Sequence, residues 1–283
     1  MYAITGASGQ LGRLALDALL QTVEPGQIVA LVRNPAKLAD AAARGVQVRT
    51  FDYDAPQTLG PALAGVERLL LISSSEVGQR ARQHQAVIDA AKAAGVKFVA
   101  YTSILRADAS PLGLAVEHRA TEDALKASGL PHALLRNGWY TENYVQAAPA
   151  ALAHGALLGS AGDGEISGAS RADYAAAAVK VLTGEAATKT YELAGDEAFT
   201  LAQFAQALAE IAGKPVVYTN LPQADYAAAL KAAGLPAPVA DMLAQSDAAA
   251  AQGALFDDGH VLSGLIGRPT TPFRKTLAAG VKG

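Results

Sequence analysis

Eight residues near the amino terminus, Thr5-Gly6-Ala7-Ser8-Gly9-Gln10-Leu11-Gly12, have the composition and spacing of a phosphate-binding turn. They follow a short apolar stretch and lead directly into a helical pattern. In such a turn one glycine permits a tight bend, the next lets the backbone approach a pyrophosphate, and the third allows close helix–sheet packing. The helix N-terminus then offers free N–H groups to the anion. The stretch predicts a dinucleotide-binding turn, and the alternative is a strand-to-helix turn without a ligand.

A basic residue, Arg33, stands at the end of the second predicted strand, residues 27–32. Folds that prefer NAD place an acidic residue there, against the 2′-hydroxyl of the adenosine ribose. Arg33 offers instead a planar cation that can stack on adenine and bind a 2′-phosphate, and Lys37 follows one helical turn later. The pattern predicts NADPH (NADP) as cofactor, and the alternative for Arg33 is a solvated residue at a strand end.

Two more polar segments end predicted strands. Ser73, Ser74 and Ser75 follow a continuous apolar strand and are predicted to bind the cofactor, because small hydroxyl residues permit close passage of its ribose and diphosphate. The alternative for the triplet is a simple turn. Asp52-Tyr53 follows the third strand, where the carboxylate can accept a hydrogen bond from adenine or cap its own loop.

Amide and aromatic side chains follow the sixth predicted strand, residues 132–137. They are Asn137, Trp139, Tyr140 and Asn143, and they include the only tryptophan of the chain. Open α/β sheets bind ligands beyond the carboxyl ends of their strands. Flat aromatic surfaces with amide donors suit a planar, carbonyl-bearing substrate such as a quinone. These four residues are predicted to bind the substrate, and the alternative for Trp139 and Tyr140 is hydrophobic packing.

The elements that position these residues alternate between strands and helices through the first half of the chain. The predicted strands are residues 2–5, 27–32, 46–51, 68–72, 97–103 and 132–137. This order predicts an α/β fold, a Rossmann-type doubly wound parallel sheet with a smaller C-terminal α/β substrate lobe. Residues 1–140 form the predicted NADP-binding domain. Residues 141–283 form the predicted substrate-covering lobe, which partly returns to the main sheet and contains a loop at 155–168.

Composition excludes several classes of function. The 283 residues carry a formal net charge of -3 and no basic block, which argues against nucleic acid as a partner. The chain has no cysteine, which excludes disulfides, thiolate nucleophiles and thiolate metal sites and favours a cytoplasmic location. Its five histidines lack metal-ligand spacing, so no metal is predicted. No apolar run reaches roughly eighteen residues, so we expect neither a signal peptide nor a membrane span.

Together these segments resemble the NmrA-like atypical short-chain dehydrogenase/reductases, most closely the bacterial NAD(P)H:quinone oxidoreductase 2 group. The resemblance covers nearly the whole chain and rests on residues 4–12, 28–35, 69–80, 135–140 and 265–271. It implies flavin-free, NADPH-dependent reduction of quinones, in which the glycine turn, Arg33 and the serine triplet bind the cofactor. Residues 137–143 would then line the quinone site. Hydride and single-electron transfer, the proton donor and the oligomeric state are left open.

One motif of the wider superfamily is missing. Short-chain dehydrogenases that act on alcohols use a Tyr-x-x-x-Lys pair on the helix after strand five, and residues 114–122 contain no such pair. His118 and Glu122 are spaced for an ion pair or proton relay, or for a surface pair, and Tyr101 is interpreted as a core or pocket residue. Two other functions stay open: a cofactor-sensing regulator without turnover, and an NADPH-dependent reductase of another planar acceptor such as a triphenylmethane dye.

Overall fold

Strands and helices alternate along the chain in a computed structural model that describes residues 1–282. The strands are β1 (Tyr2–Thr5), β2 (Ile28–Val32), β3 (Gln47–Thr50), β4 (Arg68–Leu71), β5 (Phe98–Ile104), β6 (His132–Asn137), β7 (Ala156–Gly159), β8 (Lys189–Leu193) and β9 (Val217–Asn220). The helices are α1 (Gln10–Leu19), α2 (Ala39–Ala43), α3 (Leu59–Ala62), α4 (Arg80–Ala93), α5 (Ala115–Ser128), α6 (Thr141–Val145), α7 (Ala148–His154), α8 (Arg171–Thr183), α9 (Leu201–Ala212), α10 (Gln223–Ala232), α11 (Ala237–Ala250), α12 (Val261–Ile266) and α13 (Phe273–Lys282).

The main sheet has seven strands in the order β3-β2-β1-β4-β5-β6-β8. The first six pair in parallel, and the direction of winding reverses between β1 and β4. Every residue of β2 and of β5 is buried, as continuous apolar runs require when helices cover both faces of a parallel sheet. The predicted Rossmann-type α/β fold is confirmed. A reversal of winding is where such sheets leave a crevice for a ligand.

The chain divides into two compact units. The first contains Met1–Ala107, Val116–Asn137 and Arg171–Glu192. Its core joins apolar side chains of β1, β2, β4 and β5 to those of α3 and α4, including Leu31, Leu69 and Ile88. Helix α8 packs against α1 within this unit. Residues 171–192 therefore belong to the same unit as the glycine turn.

The second unit contains Asp108–Ala115, Gly138–Ser170 and the chain from Leu193 onwards. Its two-stranded sheet pairs β7 with β9 in parallel. Aromatic rings pack together near it, with Phe199 and Phe273 at 4.5 Å between centroids. The prediction that residues 155–168 form a loop was wrong for β7. A strand of four residues is too short to show periodicity, and its hydrogen-bond partners lie about sixty positions later.

Candidate active site

The glycine turn has the backbone geometry that its sequence predicts. Gly6 has φ +58°, in the left-handed region that favours glycine, and its carbonyl accepts a hydrogen bond from Gly9 N at 2.8 Å. A Cβ atom at position 12 would overlap Gly6 O and lie 2.8 Å from the Cα of Ala7. Helix α1 therefore packs against the turn at a distance that only glycine allows.

The N-terminus of α1 is open to a ligand. The N-cap residue, Gly9, has no side chain to bind the first N–H groups of the helix. Gln10, Leu11 and Gly12 therefore present backbone donors at the positive end of the helix dipole. This arrangement can bind a diphosphate through the backbone without any basic side chain.

One pocket of about 390 Å³ brings the predicted cofactor residues together, and its size falls in the usual range for small-molecule sites. Ten of the eleven predicted residues line it: Gly6, Ser8, Gly9, Gln10, Leu11, Gly12, Arg33, Ser73, Ser74 and Ser75. The eleventh, Ala7, is fully buried beneath the turn. Binding of a cofactor by these residues stays a prediction, but their glycine-lined turn, free helix N-terminus and basic residue fit a dinucleotide.

The pocket wall contains polar residues that the sequence did not single out. Asp54, Glu76 and Gln83 line it alongside Lys37 and Asp52. Glu76 directly follows the serine triplet, and that adjacency was the available signal for it. Asp52 Oδ1 accepts a hydrogen bond from Asp54 N at 3.1 Å, so its carboxylate caps its own turn as the second interpretation of this residue stated.

Backbone hydrogen bonds to neighbouring elements hold the serine loop, Ser73-Ser74-Ser75, in place. Ser73 N donates to Thr102 Oγ1 at 2.9 Å, and Ser74 N donates to His84 Nε2 at 3.0 Å. The carbonyl of Ser74 accepts a hydrogen bond from the guanidinium of Arg80. Strand β5 and helix α4 therefore hold the loop at the carboxyl end of β4, where it lines the pocket.

His84 is a neutral acceptor in this loop. Burial, assisted by the charge of Arg80, lowers the pKa of His84 to about 3. Because Ser74 N–H donates to Nε2, we infer that the ring carries its proton on Nδ1, which lies 2.9 Å from Thr121 Oγ1. The Thr121 hydroxyl in turn donates to the carbonyl of Glu117 at 3.0 Å. The imidazole thus has one defined tautomer and is uncharged near neutral pH, so it cannot act as a proton donor there.

Acidic and basic side chains pair at the open side of the pocket. Arg33 Nη1 lies 3.0 Å from Glu76 Oε1, and Glu76 Oε2 accepts a hydrogen bond from Gln83 Nε2 at 2.8 Å. Arg82 Nη2 lies 2.5 Å from Asp54 Oδ1. That hydrogen bond is the main cause that lowers the pKa of Asp54. Arg33, the predicted ligand of a 2′-phosphate, is therefore bound to a carboxylate.

The proposed pairing of His118 with Glu122, in a relay or at the surface, was wrong, because both side chains are buried and face different partners. His118 Nδ1 lies 2.8 Å from the hydroxyl of Tyr101, and burial lowers the pKa of His118 to about 3. Glu122 accepts hydrogen bonds from Ser103 at 2.6 Å and from Arg136 at 2.7 and 2.9 Å. Tyr101 is a core residue, fully buried.

The predicted substrate residues occupy the end of β6 and the segment after it. Asn137 is the last residue of β6 and is buried within the first unit. Trp139, Tyr140 and Asn143 belong to the second unit. Trp139 is 8% exposed, whereas Tyr140 and Asn143 are intermediate in exposure, and Asn143 N donates to Tyr140 O at 3.0 Å. Contact of these four residues with a substrate stays a prediction.

The described residues contain neither a cluster of metal ligands nor a helix that could span a membrane. In the part of the chain that the structure covers, no three His, Asp or Glu side chains come together as a metal site. Among residues 1–282, no helix is both long enough and apolar enough to cross a membrane.

Several known proteins resemble this chain in both sequence and fold. An NAD(P)H-binding family model matches residues 6–185. Quinone oxidoreductase 2 of Escherichia coli is 59% identical over 279 residues, 98% of each chain. The crystal structure of the E. coli NADPH-dependent quinone oxidoreductase QOR2 complexed with NADPH superposes with a TM-score of 0.96 over 99% of both chains. The Citrobacter sp. triphenylmethane reductase complexed with NADP(H) has a TM-score of 0.95, 38% identity, and coverage of 99% and 100%. The chain belongs to the NAD(P)H-binding family, and to the same family as quinone oxidoreductase 2.

Proposed function

We propose that this protein is a flavin-free, NADPH-dependent quinone oxidoreductase. The observation that supports this most directly is the 59% identity to quinone oxidoreductase 2 over 98% of the chain. The pocket in the first unit supplies the parts that such an enzyme needs for its cofactor, which are an open helix N-terminus, a close glycine turn and a basic residue after β2.

The cofactor residues have separate tasks in this proposal. The N–H groups at the start of α1 bind the diphosphate, and Arg33 with Lys37 binds the 2′-phosphate. The loop Ser73-Ser74-Ser75 limits one wall of the pocket, and its backbone is held by Thr102 and His84. When bound, NADPH supplies the reducing equivalents.

Reduction of a quinone does not need a strong proton donor. The oxygen that becomes negatively charged is phenolic, and a phenolate is a much weaker base than the alkoxide formed from a ketone. Positioning and hydrogen bonds to that oxygen then provide most of the rate enhancement. We propose that Asn137 or Asn143 donates such a hydrogen bond and that Trp139 and Tyr140 provide flat surfaces for the ring. Full quinone turnover by both Asn137→Ala and Asn143→Ala would exclude this role.

The direct test mixes purified protein with NADPH and a panel of quinones while the absorbance of the reduced nicotinamide is followed. We expect oxidation of NADPH that depends on the quinone. If the protein binds NADPH but none of the acceptors leads to its oxidation, the protein would be a cofactor sensor instead. The fold similarity to triphenylmethane reductase makes triphenylmethane dyes the comparison acceptors. A higher kcat/KM for dyes than for every quinone would change the assigned acceptor.

The cofactor preference has its own test. Arg33→Ala is expected to reduce the ratio of NADPH to NADH affinity by about tenfold or more, because a charge-assisted contact to phosphate is lost. Arg44→Ala is the matched control, since Arg44 is also an exposed arginine paired with a carboxylate, Asp17, at 3.3 Å. An unchanged ratio in Arg33→Ala would show that another residue recognises the 2′-phosphate.

A further inference from the structure

We propose that Glu76 sets how strongly this protein discriminates NADPH from NADH, by acting as the internal counter-ion of Arg33. The inference rests on the proposed function, because it concerns the same cofactor pocket. It assigns to Glu76 a specificity-determining role that opposes the role of Arg33.

The carboxylate of Glu76 is held on its inner side. Gln83, which is 1% exposed, donates to Glu76 Oε2 at 2.8 Å. The backbone N–H of Glu76 donates to Ser74 Oγ at 3.1 Å, so the serine loop fixes the main chain as well. The Arg33 side chain on the outer side is 69% exposed, whereas that of Glu76 is 38% exposed. In this ion pair the carboxylate has a second hydrogen-bond partner within the protein, whereas the guanidinium is the more exposed side chain.

The charge that faces a 2′-phosphate is therefore mixed. Asp54 is neutralised by Arg82 at 2.5 Å, but Glu76 has Arg33 as its ionic partner at 3.0 Å. A 2′-phosphate that binds Arg33 has to displace the Glu76 carboxylate or lie beside it. A phosphate and a carboxylate that bind the same guanidinium repel each other. NADH carries a 2′-hydroxyl and meets no such repulsion. Glu76 thus weakens the binding of NADPH and leaves that of NADH nearly unchanged.

Glu76→Gln removes the charge and keeps the shape. The new amide oxygen can still accept the hydrogen bond from Gln83 Nε2, which also lies 3.4 Å from both carboxylate oxygens of Asp54. The added NH₂ group then faces Arg33, whose exposed side chain can turn to solvent. The variant is expected to fold.

The matched control is Glu67→Gln, which makes the same change in net charge. Glu67 also forms an exposed ion pair, with Lys97 at 2.6 Å. It precedes β4, whereas Glu76 follows β4, so the two carboxylates lie at opposite edges of the sheet. Long-range changes in charge act on both variants, and only contact with Arg33 separates them.

The experiment is equilibrium titration of wild type and both variants with NADP⁺, NAD⁺, 2′,5′-ADP and 5′-AMP by calorimetry. In Glu76→Gln we expect the Kd ratio of NAD⁺ to NADP⁺ to rise on the order of tenfold, with the Kd of NAD⁺ within about twofold of wild type. The ratio of 5′-AMP to 2′,5′-ADP should follow it. The change should shrink as salt is raised, because the pair is exposed, and Glu67→Gln should show no change.

Three results would overturn the inference. An unchanged ratio in Glu76→Gln would show that the carboxylate does not oppose the phosphate. A lower ratio would show that Glu76 serves to orient Arg33 for the phosphate. Absence of binding by NADP⁺ and NAD⁺ to the wild-type protein would refute the proposed function as well, and this outcome is distinct from the other two because they require a protein that binds dinucleotides.

Discussion

Glu122 and Arg136 form a buried ion pair that should be costly to break from one side. Their side chains are 1% and 8% exposed. Arg136 binds Glu122 through two parallel hydrogen bonds of 2.9 and 2.7 Å, and this contact is the main cause that raises the pKa of Arg136. Ser103 donates to Glu122 at 2.6 Å, and Glu192 accepts from Arg136 at 2.9 Å. Together with Ser103 of β5 and Glu192 of β8, the pair connects α5 to strands β5, β6 and β8.

The expected magnitudes follow from which charge each variant leaves behind. Removing one partner of a buried pair costs about 3–5 kcal/mol, because the other charge stays uncompensated. Arg136→Met leaves Glu122 with a neutral hydroxyl only, so we expect about 4–5 kcal/mol. Glu122→Leu leaves Arg136 with Glu192, so we expect about 3 kcal/mol. The double variant leaves no buried charge of the pair, and we expect it to be no less stable than Arg136→Met.

Chemical denaturation followed by circular dichroism gives the free energy of unfolding of the wild type, the two single variants and the double variant. The control is Lys97→Met, because that side chain is 72% exposed in its ion pair with Glu67 and exposed pairs contribute little to stability. A loss below about 1 kcal/mol for Arg136→Met would refute the reasoning, since the charge left behind would then be solvated. Additive losses in the double variant would refute it as well, because they would mean that the two side chains do not interact.

The remaining predictions concern pH and the glycine turn. Folded-state pKa values of about 3 for His84 and His118 mean that the unfolded chain binds more protons than the folded chain between about pH 3 and pH 6.5. The free energy of unfolding should therefore fall on acidification by ~1.4 kcal/mol per pH unit for each histidine, and urea titrations of His84→Gln should show a shallower dependence. Asp247 acts in the opposite direction, because burial raises its pKa to about 6, so its contribution to stability is lost as pH rises through that value. Asp247→Asn should therefore steepen the fall in stability on acidification. An unchanged slope would contradict the raised pKa of Asp247. Gly12→Ala should lower dinucleotide affinity by at least about tenfold, because the new Cβ displaces Gly6, whereas Gly60→Ala, with nothing within 4 Å of its Cβ, should bind normally in the same titration.

The sequence was sufficient for the fold because the relevant signals are local. Continuous apolar runs and glycine stops define strands that are buried on both faces, and their alternation with helices leaves few possible topologies. The meeting of the predicted cofactor residues at one pocket was also predictable, since each lies in a segment that follows a strand of the main sheet. Once the sheet is parallel, the ends of those strands lie at one edge.

The contacts that failed to show in the sequence join side chains that are distant along the chain. Spacing alone suggested that His118 pairs with Glu122, but β5 offers each of them a closer partner, Tyr101 or Ser103. Gln83 reaches Glu76 only because α4 begins where the serine loop turns back. Such contacts depend on how a helix is rotated against the sheet, and periodicity does not report that rotation for side chains that are polar and buried.

Polar side chains of α5 hold the elements that form the cofactor pocket. Glu117 accepts hydrogen bonds from Gly78 N, just before α4, at 3.0 Å and from Arg80 N, the first residue of α4, at 3.2 Å. Thr121 binds His84, which holds the serine loop. His118 and Glu122 bind side chains of β5. In dehydrogenases that act on alcohols this helix provides the tyrosine and lysine that transfer a proton, and here the polar residues stabilise the walls of the cofactor pocket instead. A quinone suits such a site, because its product anion is a weak base that needs no strong proton donor from α5.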